Sequence, residues 1–222
     1  MFKSKSRPVV IPQSEHLKLV GALAHAWGNS DFSLPPIEWV SLVLGVGLHD
    51  RGYGYLDTAA VLEMPEEEWL EITRRGFHMA CTDPVADLIT RYHLLRLTRD
   101  HPSAAVQALY YEFEWEIRDQ LREQGFSPTL FERIDRITNL CDSISFGFCF
   151  EQPMQGHVNI FPRTNSEVEI PIYYSIDQAH IHLAPWPFSV DIISGYLIGY
   201  QLAGYPALLD PVLLPYVISP GE

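Results

Sequence analysis

From Gln13 onward, His16, Leu19, Val20, Leu23 and Trp27 recur at intervals of three and four residues, the spacing that collects side chains on one face of an α-helix. Pro12 suits a first helical turn, so the pattern predicts a helix over residues 12–27. After the turn-forming stretch GNSDFSLPP, the stripe Ile37, Val40, Leu44, Leu48 predicts a second helix from about Pro36 to His49, ended by Gly52 and Gly54. MPEEEWLEITRRG has acids at its start and Arg74-Arg75 at its end, the order a helix dipole favours. Val85, Ile89, His93 and Leu97 lie four apart, a charged amphipathic helix follows over 103–124, and Pro128 opens a last one through Phe131, Ile134, Ile137, Cys141, Ile144 and Phe148.

Beyond about residue 151 the pattern changes. HVNIFPRTN, EVEIPIYYSIDQAHIHLAPWPFSV and DIISGYLIGYQL are rich in β-branched and aromatic residues, with a hairpin turn expected near Asp177-Gln178. The expected fold is mainly α: a helical domain over residues 1–151, with a small C-terminal antiparallel β appendage over 152–222 packed on it. The Pro-rich tail from Leu208 is expected to lie across the surface.

Charge removes some functions. The chain carries 15 Lys and Arg against 28 Asp and Glu, a formal charge of −13, which opposes non-specific attraction to nucleic acid or an anionic membrane. No apolar stretch reaches the roughly 20 residues a membrane helix needs. Cys81, Cys141 and Cys149 are odd in number and lack CxxC spacing, as expected of reduced thiols in a soluble cytoplasmic protein.

The candidate chemistry sits where polar residues interrupt apolar runs. SLVLGVGL ends in His49-Asp50, and two neighbours about 100° apart on a helix converge only on an object near the helix end. A metal ion is such an object. Asp142 is the only charge in the fourteen residues ITNLCDSISFGFCF, and an unpaired carboxylate there would cost several kcal/mol or take up a proton. A cation resolves the conflict, and imidazole with carboxylate suits Zn, Fe, Mn and, less well, Mg. His16 shares its stripe with leucines and valine, a setting commoner for a satisfied core histidine than for a ligand.

Taken in order, His16, His49-Asp50-Arg51-Gly52 and Asp142 resemble the pattern of the HD-domain superfamily. The stretches QSEHLKLVGALAHAWG, HDRGYGYLD, TRYHLLRL, NLCDSIS and APWPF are similar to an uncharacterised bacterial HD-like family over nearly the whole chain. The resemblance implies an HD-domain-like bundle and a divalent metal ion held by His16, His49, Asp50 and Asp142. It also implies a metal-dependent hydrolase acting on a phosphate ester or phosphodiester, with a phosphorylated small molecule as partner and self-association left open. A lowered water pKa and a polarised phosphoryl oxygen would drive the reaction, with Asp50 positioning the water or bridging to a second metal. His93 is either a further ligand, as in dinuclear members, or a core histidine bonded to a carbonyl.

Arg51 is the candidate phosphate contact, against a structural ion pair with Asp57. Lys18 and Arg91 are further anion contacts if not simply solvated. His78 is a weaker ligand candidate, while His25 and the strand histidines His157, His180 and His182 read as structural. Trp186 and Phe188 are expected to cap the helical core. Two other readings stand beside hydrolysis: a non-catalytic metal- or ligand-binding protein, and a di-iron oxygenase that would recruit His93 and His78.

Overall fold

A computed structural model describes residues 1–58 and 64–221. Six helices pack together: α1 (Gln13–Ala26), α2 (Trp39–Gly47), α3 (Glu66–His78), α4 (Pro84–Thr98), α5 (Ala104–Gln124) and α6 (Pro128–Phe150). A 3₁₀ segment, Arg51–Thr58, links α2 to the chain before α3. The local chemistry accounts for several ends. Asp83 accepts from the amides of Val85 at 2.9 Å and Ala86 at 3.0 Å, capping α4, and takes the Ser41 hydroxyl of α2 at 2.6 Å. Gly125, at φ +70°, closes α5.

The second helix is shorter than its stripe predicts. Pro35 and Pro36 stay outside it and it ends at Gly47, so His49 and Asp50 stand in the following turn. There the bonding tightens: Arg51 N–H reaches Leu48 O at 2.9 Å and Tyr53 N–H reaches Asp50 O at 3.0 Å. The turn frees His49 and Asp50 from the fixed helical spacing, so neighbours in sequence can face one point.

The expectation of a mainly α, all-helical fold with a small antiparallel appendage is overturned. The strands form one seven-stranded mixed sheet in the order β1-β2-β6-β7-β5-β4-β3. They are β1 (Phe2–Lys3), β2 (Val9–Ile11), β3 (Gln155–Ile160), β4 (Ile170–Asp177), β5 (His180–Ala184), β6 (Ile193–Gln201) and β7 (Pro211–Pro220). The sheet draws strands from both sides of residue 151, and one core cluster joins Val9, Ile11, Leu19 and Leu140 to Ile172, Ile181, Leu197 and Ile218. The hairpin between β4 and β5 turns at Gln178, with φ +53°.

The tail is no surface wrapping either: β7 lies between β6 and β5, antiparallel to the first and parallel to the second. Its prolines are tolerated for a geometric reason. Pro215 is opposite Tyr196, whose carbonyl points away from β7 and accepts from Lys18 Nζ at 3.2 Å, so this pair exchanges no ladder bond. The side of Pro215 that lacks an N–H faces toward β5, which joins β7 only from Val217 onward.

Two polar clamps fix the termini of these elements. Glu151, at φ +62° just after α6, accepts from Ser6 N at 2.7 Å, Ser6 Oγ at 2.8 Å, Arg7 N at 3.2 Å and the Ser4 hydroxyl, and pairs with Arg7 Nε at 3.1 Å. These bonds outweigh its partial burial and hold its carboxyl down to about 2. Arg51 donates to the last-turn carbonyls of α3, Gly76 O at 2.7 Å and Phe77 O at 3.1 Å. It also stands 2.7 Å from Asp87 Oδ1 in the first turn of α4, close in distance though not aligned as a hydrogen bond. A cation at one helix's C-terminus and an anion at the next helix's N-terminus join both dipoles through one pair.

Two outcomes follow. Glu151→Gln should cost about 1–2 kcal/mol by losing charge-assisted bonds at a partly exposed site, and should expose the segment between β1 and β2 to protease. Because the folded pKa is depressed from 4.5 to about 2, the wild-type advantage over the variant should be complete above about pH 4.5 and vanish as the pH falls through 2, read by thermal melts across pH. Arg51→Gln removes one partner of a buried ion pair and should cost about 3–5 kcal/mol in chemical denaturation.

Candidate metal centre

Four elements deliver the polar groups. The α1 stripe buries His16 beside Leu19, Val20 and Leu23, and Ser145 Oγ of α6 donates to His16 O at 3.1 Å, drawing the two helices together. The turn after α2 supplies His49 and Asp50, α4 supplies His93, and α6 supplies Asp142. The start of α1 is capped from outside: Asp57 of the 3₁₀ segment accepts from Gln13 N at 2.5 Å and Ser14 N at 3.1 Å. Asp57 is thus the cap of α1 and no partner of Arg51.

Two groups of donors share His49: His16, His49 and Asp142, and His49, Asp50 and His93. His16 Nε2 and His49 Nε2 are 3.2 Å apart, and each lies 3.5 Å from Asp142 Oδ1. Asp50 Oδ2 is 3.8 Å from His16 Nε2 and 3.6 Å from His49 Nε2. Around an ion with ligands about 2.1 Å away, tetrahedral neighbours are separated by about 3.4 Å, in the middle of these spacings. The donor set is two imidazoles and two carboxylates, with no thiolate.

Hydrogen bonds set the tautomers. His49 Nδ1 is 2.9 Å from Val46 O, which can only accept, so Nδ1 carries a proton and Nε2 faces the centre. His16 and His49 are fully buried, and His16 Nδ1 has no partner among the described residues. With Nδ1 of His49 protonated, its Nε2 lone pair can accept an Nε2–H of His16 across 3.2 Å or face an ion. Burial opposes a charge on His49, but Asp50 and Asp142 raise its pKa above the usual imidazole value. Burial and the charge on His49 push His16 down to about 4, and the same two causes lower His93. Burial alone would raise Asp50 and Asp142, yet His49 first of all holds both far below the usual carboxylate range.

His93 stands beside this set in a different role. Its Nδ1 is 2.8 Å from Arg96 Nη2, and a guanidinium can only donate, so Nδ1 accepts and Nε2 carries the proton. That N–H points to Asp50 Oδ1 at 3.2 Å. In this arrangement His93 has no lone pair to offer an ion and instead orients Asp50, leaving Oδ2 for the centre. Arg96 also approaches Asp142 Oδ2 at 3.6 Å and is anchored by Asp135 Oδ2 at 3.0 Å.

The structure gathers His16, His49, Asp50 and Asp142, with His93 adjoining, and takes Arg51 elsewhere. The Arg51 guanidinium donates to α3 and stands beside Asp87, its Nη1 has no partner among the described residues, and it does not line the pocket in front of Asp50. Lys18 goes to Glu15 and Tyr196, and Arg91 to Asp87 at 2.8 Å. His78 joins Glu112 and Glu116 in an outlying surface group, and His182 meets Ser219. Phe188 bridges to Trp27 and is buried against the helices.

Gln13 and Arg96 were not foreseen. Gln13 Nε2 donates to Asp50 Oδ2 at 2.7 Å. Their only sequence signal is position: Gln13 is one turn before His16, and Arg96 one turn after His93.

A pocket of about 280 Å³ opens in front of Asp50, His93 and Asp142. Its walls include Phe2, Tyr53, Leu56, Trp69, Leu97 and Phe146. Burial, then the nearby Asp50 charge, raises the Tyr53 phenol far above its usual range, so it stays a neutral hydrogen-bonding group.

No helix among the described residues is long and apolar enough to cross a membrane. No curated protein and no solved structure matches the chain. A family model, protein of unknown function (DUF3891), matches residues 2–202. The resemblance to the HD-domain superfamily is thereby corrected: nothing links the chain to that superfamily, and the large sheet departs from a purely helical fold. The match covers every element up to β6 and leaves β7 outside it. The chain therefore belongs to the family described as protein of unknown function (DUF3891).

Proposed function

We propose that the chain is a metal-dependent hydrolase in which His16, His49, Asp50 and Asp142 hold a divalent transition-metal ion and a phosphate ester or phosphodiester enters the adjoining pocket. The observation that carries this reading is the meeting of His16 Nε2, His49 Nε2 and Asp142 Oδ1 at 3.2–3.5 Å, with Asp50 Oδ2 3.8 Å and 3.6 Å from the two histidine nitrogens. Mixed nitrogen and oxygen donors favour Zn, Fe or Mn over Mg. When bound, such an ion lowers the pKa of a coordinated water toward neutrality and polarises the bond to be broken.

The residues around it have separate tasks. Asp142 presents Oδ1 to the centre while Arg96 approaches its other oxygen, which favours single-oxygen binding. His93 fixes Asp50 through Oδ1, and Gln13 fixes it through Oδ2. Asp50 and Asp142 both line the pocket, so both carboxylates stand beside the place of an attacking water.

The reading is tested by elemental analysis of the purified protein, followed by release of 4-nitrophenolate from 4-nitrophenyl phosphate and bis(4-nitrophenyl) phosphate. One equivalent of metal is expected in wild type. Asp142→Asn and His49→Gln should lower metal affinity by at least about tenfold and abolish turnover while melting as folded proteins. Arg51→Gln, which touches α3 and α4 only, should keep metal bound to its folded fraction. Wild type that takes up no ion under supplementation would refute the proposal. Metal bound without turnover of any ester would favour the binding-protein reading.

A further inference from the structure

Charge and surface around the pocket narrow what it can accept. Among the described residues that line it there is no Lys or Arg, and residues 59–63, AAVLE, contribute none by sequence. The cations nearby are already matched. Arg96 is anchored by Asp135 at 3.0 Å, Arg51 by Asp87 at 2.7 Å, and the Met1 ammonium lies 3.8 Å from Asp57. A divalent ion would be neutralised by Asp50 and Asp142, since the two imidazoles bind uncharged. The loaded site is therefore close to electroneutral, inside a chain whose formal charge is −13.

Each further negative charge brought in would go uncompensated. The walls supply attraction of another kind. Phe2, Tyr53, Leu56, Trp69, Leu97 and Phe146 offer aromatic and aliphatic faces within about 280 Å³, room for one ring-sized group and the reacting ester.

Resting on the metal-dependent reading above, we infer that the substrate is compact, carries an aromatic or branched apolar group, and bears no more than one negative charge at the scissile group. A phosphodiester or another singly charged ester meets that description. Nucleoside di- and triphosphates and phosphate monoester dianions do not.

Two matched probe pairs test this by calorimetry on metal-loaded protein. Benzohydroxamate and acetohydroxamate share one chelating head and differ in the apolar group. Benzohydroxamate should bind about tenfold tighter or better. Trp69→Ala should reduce that preference, and Phe146→Leu serves as a milder second variant whose loss of preference counts equally. Phenylphosphonate and its monomethyl ester differ by one charge. The monoester should bind about tenfold tighter, against the greater intrinsic affinity of the dianion for metal.

Equal affinity of the two hydroxamates, a preference unchanged in both variants, or tighter binding of the phosphonate dianion overturns the inference while leaving the metal centre standing. A chain that holds no metal by elemental analysis fails at the earlier step and takes this inference with it.

Discussion

Asp50 and Asp142 sit among leucine, isoleucine and phenylalanine and open onto one pocket, a setting in which a carboxylate charge is tolerable only with positive charge beside it. Much of the helical part answers this constraint. α1 brings His16, the turn after α2 brings His49, and α4 brings His93 with Arg96 behind it. Four helices are also held by a polar contact near their start or end: Asp57 on α1, Asp83 between α2 and α4, and Arg51 between α3 and α4. The centre is thus supported by an outer ring of bonds that do not themselves touch it.

That outer ring explains why neighbouring charged residues fare so differently. Asp50 and Arg51 are consecutive, yet one faces the centre and the other is turned back to α3. The 3₁₀ winding that begins at this point gives them separate directions, and the close approach of Gly52 to Gly76 lets α3 come near enough to receive the arginine. A Cβ on Gly52 would lie 2.7 Å from Ile72 O and 2.9 Å from Gly76 Cα, so the contact depends on the missing side chain.

The helical part was legible because five of its six helices carry stripes long enough to show a period, and α3 carries its charges in dipole order. His49, Asp50 and Asp142 stood out because polar groups within apolar runs demand a partner. The sheet was underestimated for definite reasons. β1 and β2 are two and three residues long, too short for alternation to register, and the prolines of β7 mimic a loop unless the neighbouring register is known. The fate of Arg51 depended on Asp87, a residue thirty-six positions away whose proximity no local pattern announces. Arg96 was hidden for a similar reason: spacing places it on the helix face of His93 but cannot say that a carboxylate from α6 waits there.

The order of strands has a bearing on biosynthesis. β7 joins β1-β2-β6 on one side to β5-β4-β3 on the other, and it comes after all of them in the chain. Without it, the facing edges of the two strand groups, β6 and β5, share no ladder. Closing them requires pairings across long sequence separations, the kind that fold slowly and leave edges open to foreign strands. The last strand therefore acts as a keystone, and the interval before it is seated is when a chaperone has the most to protect.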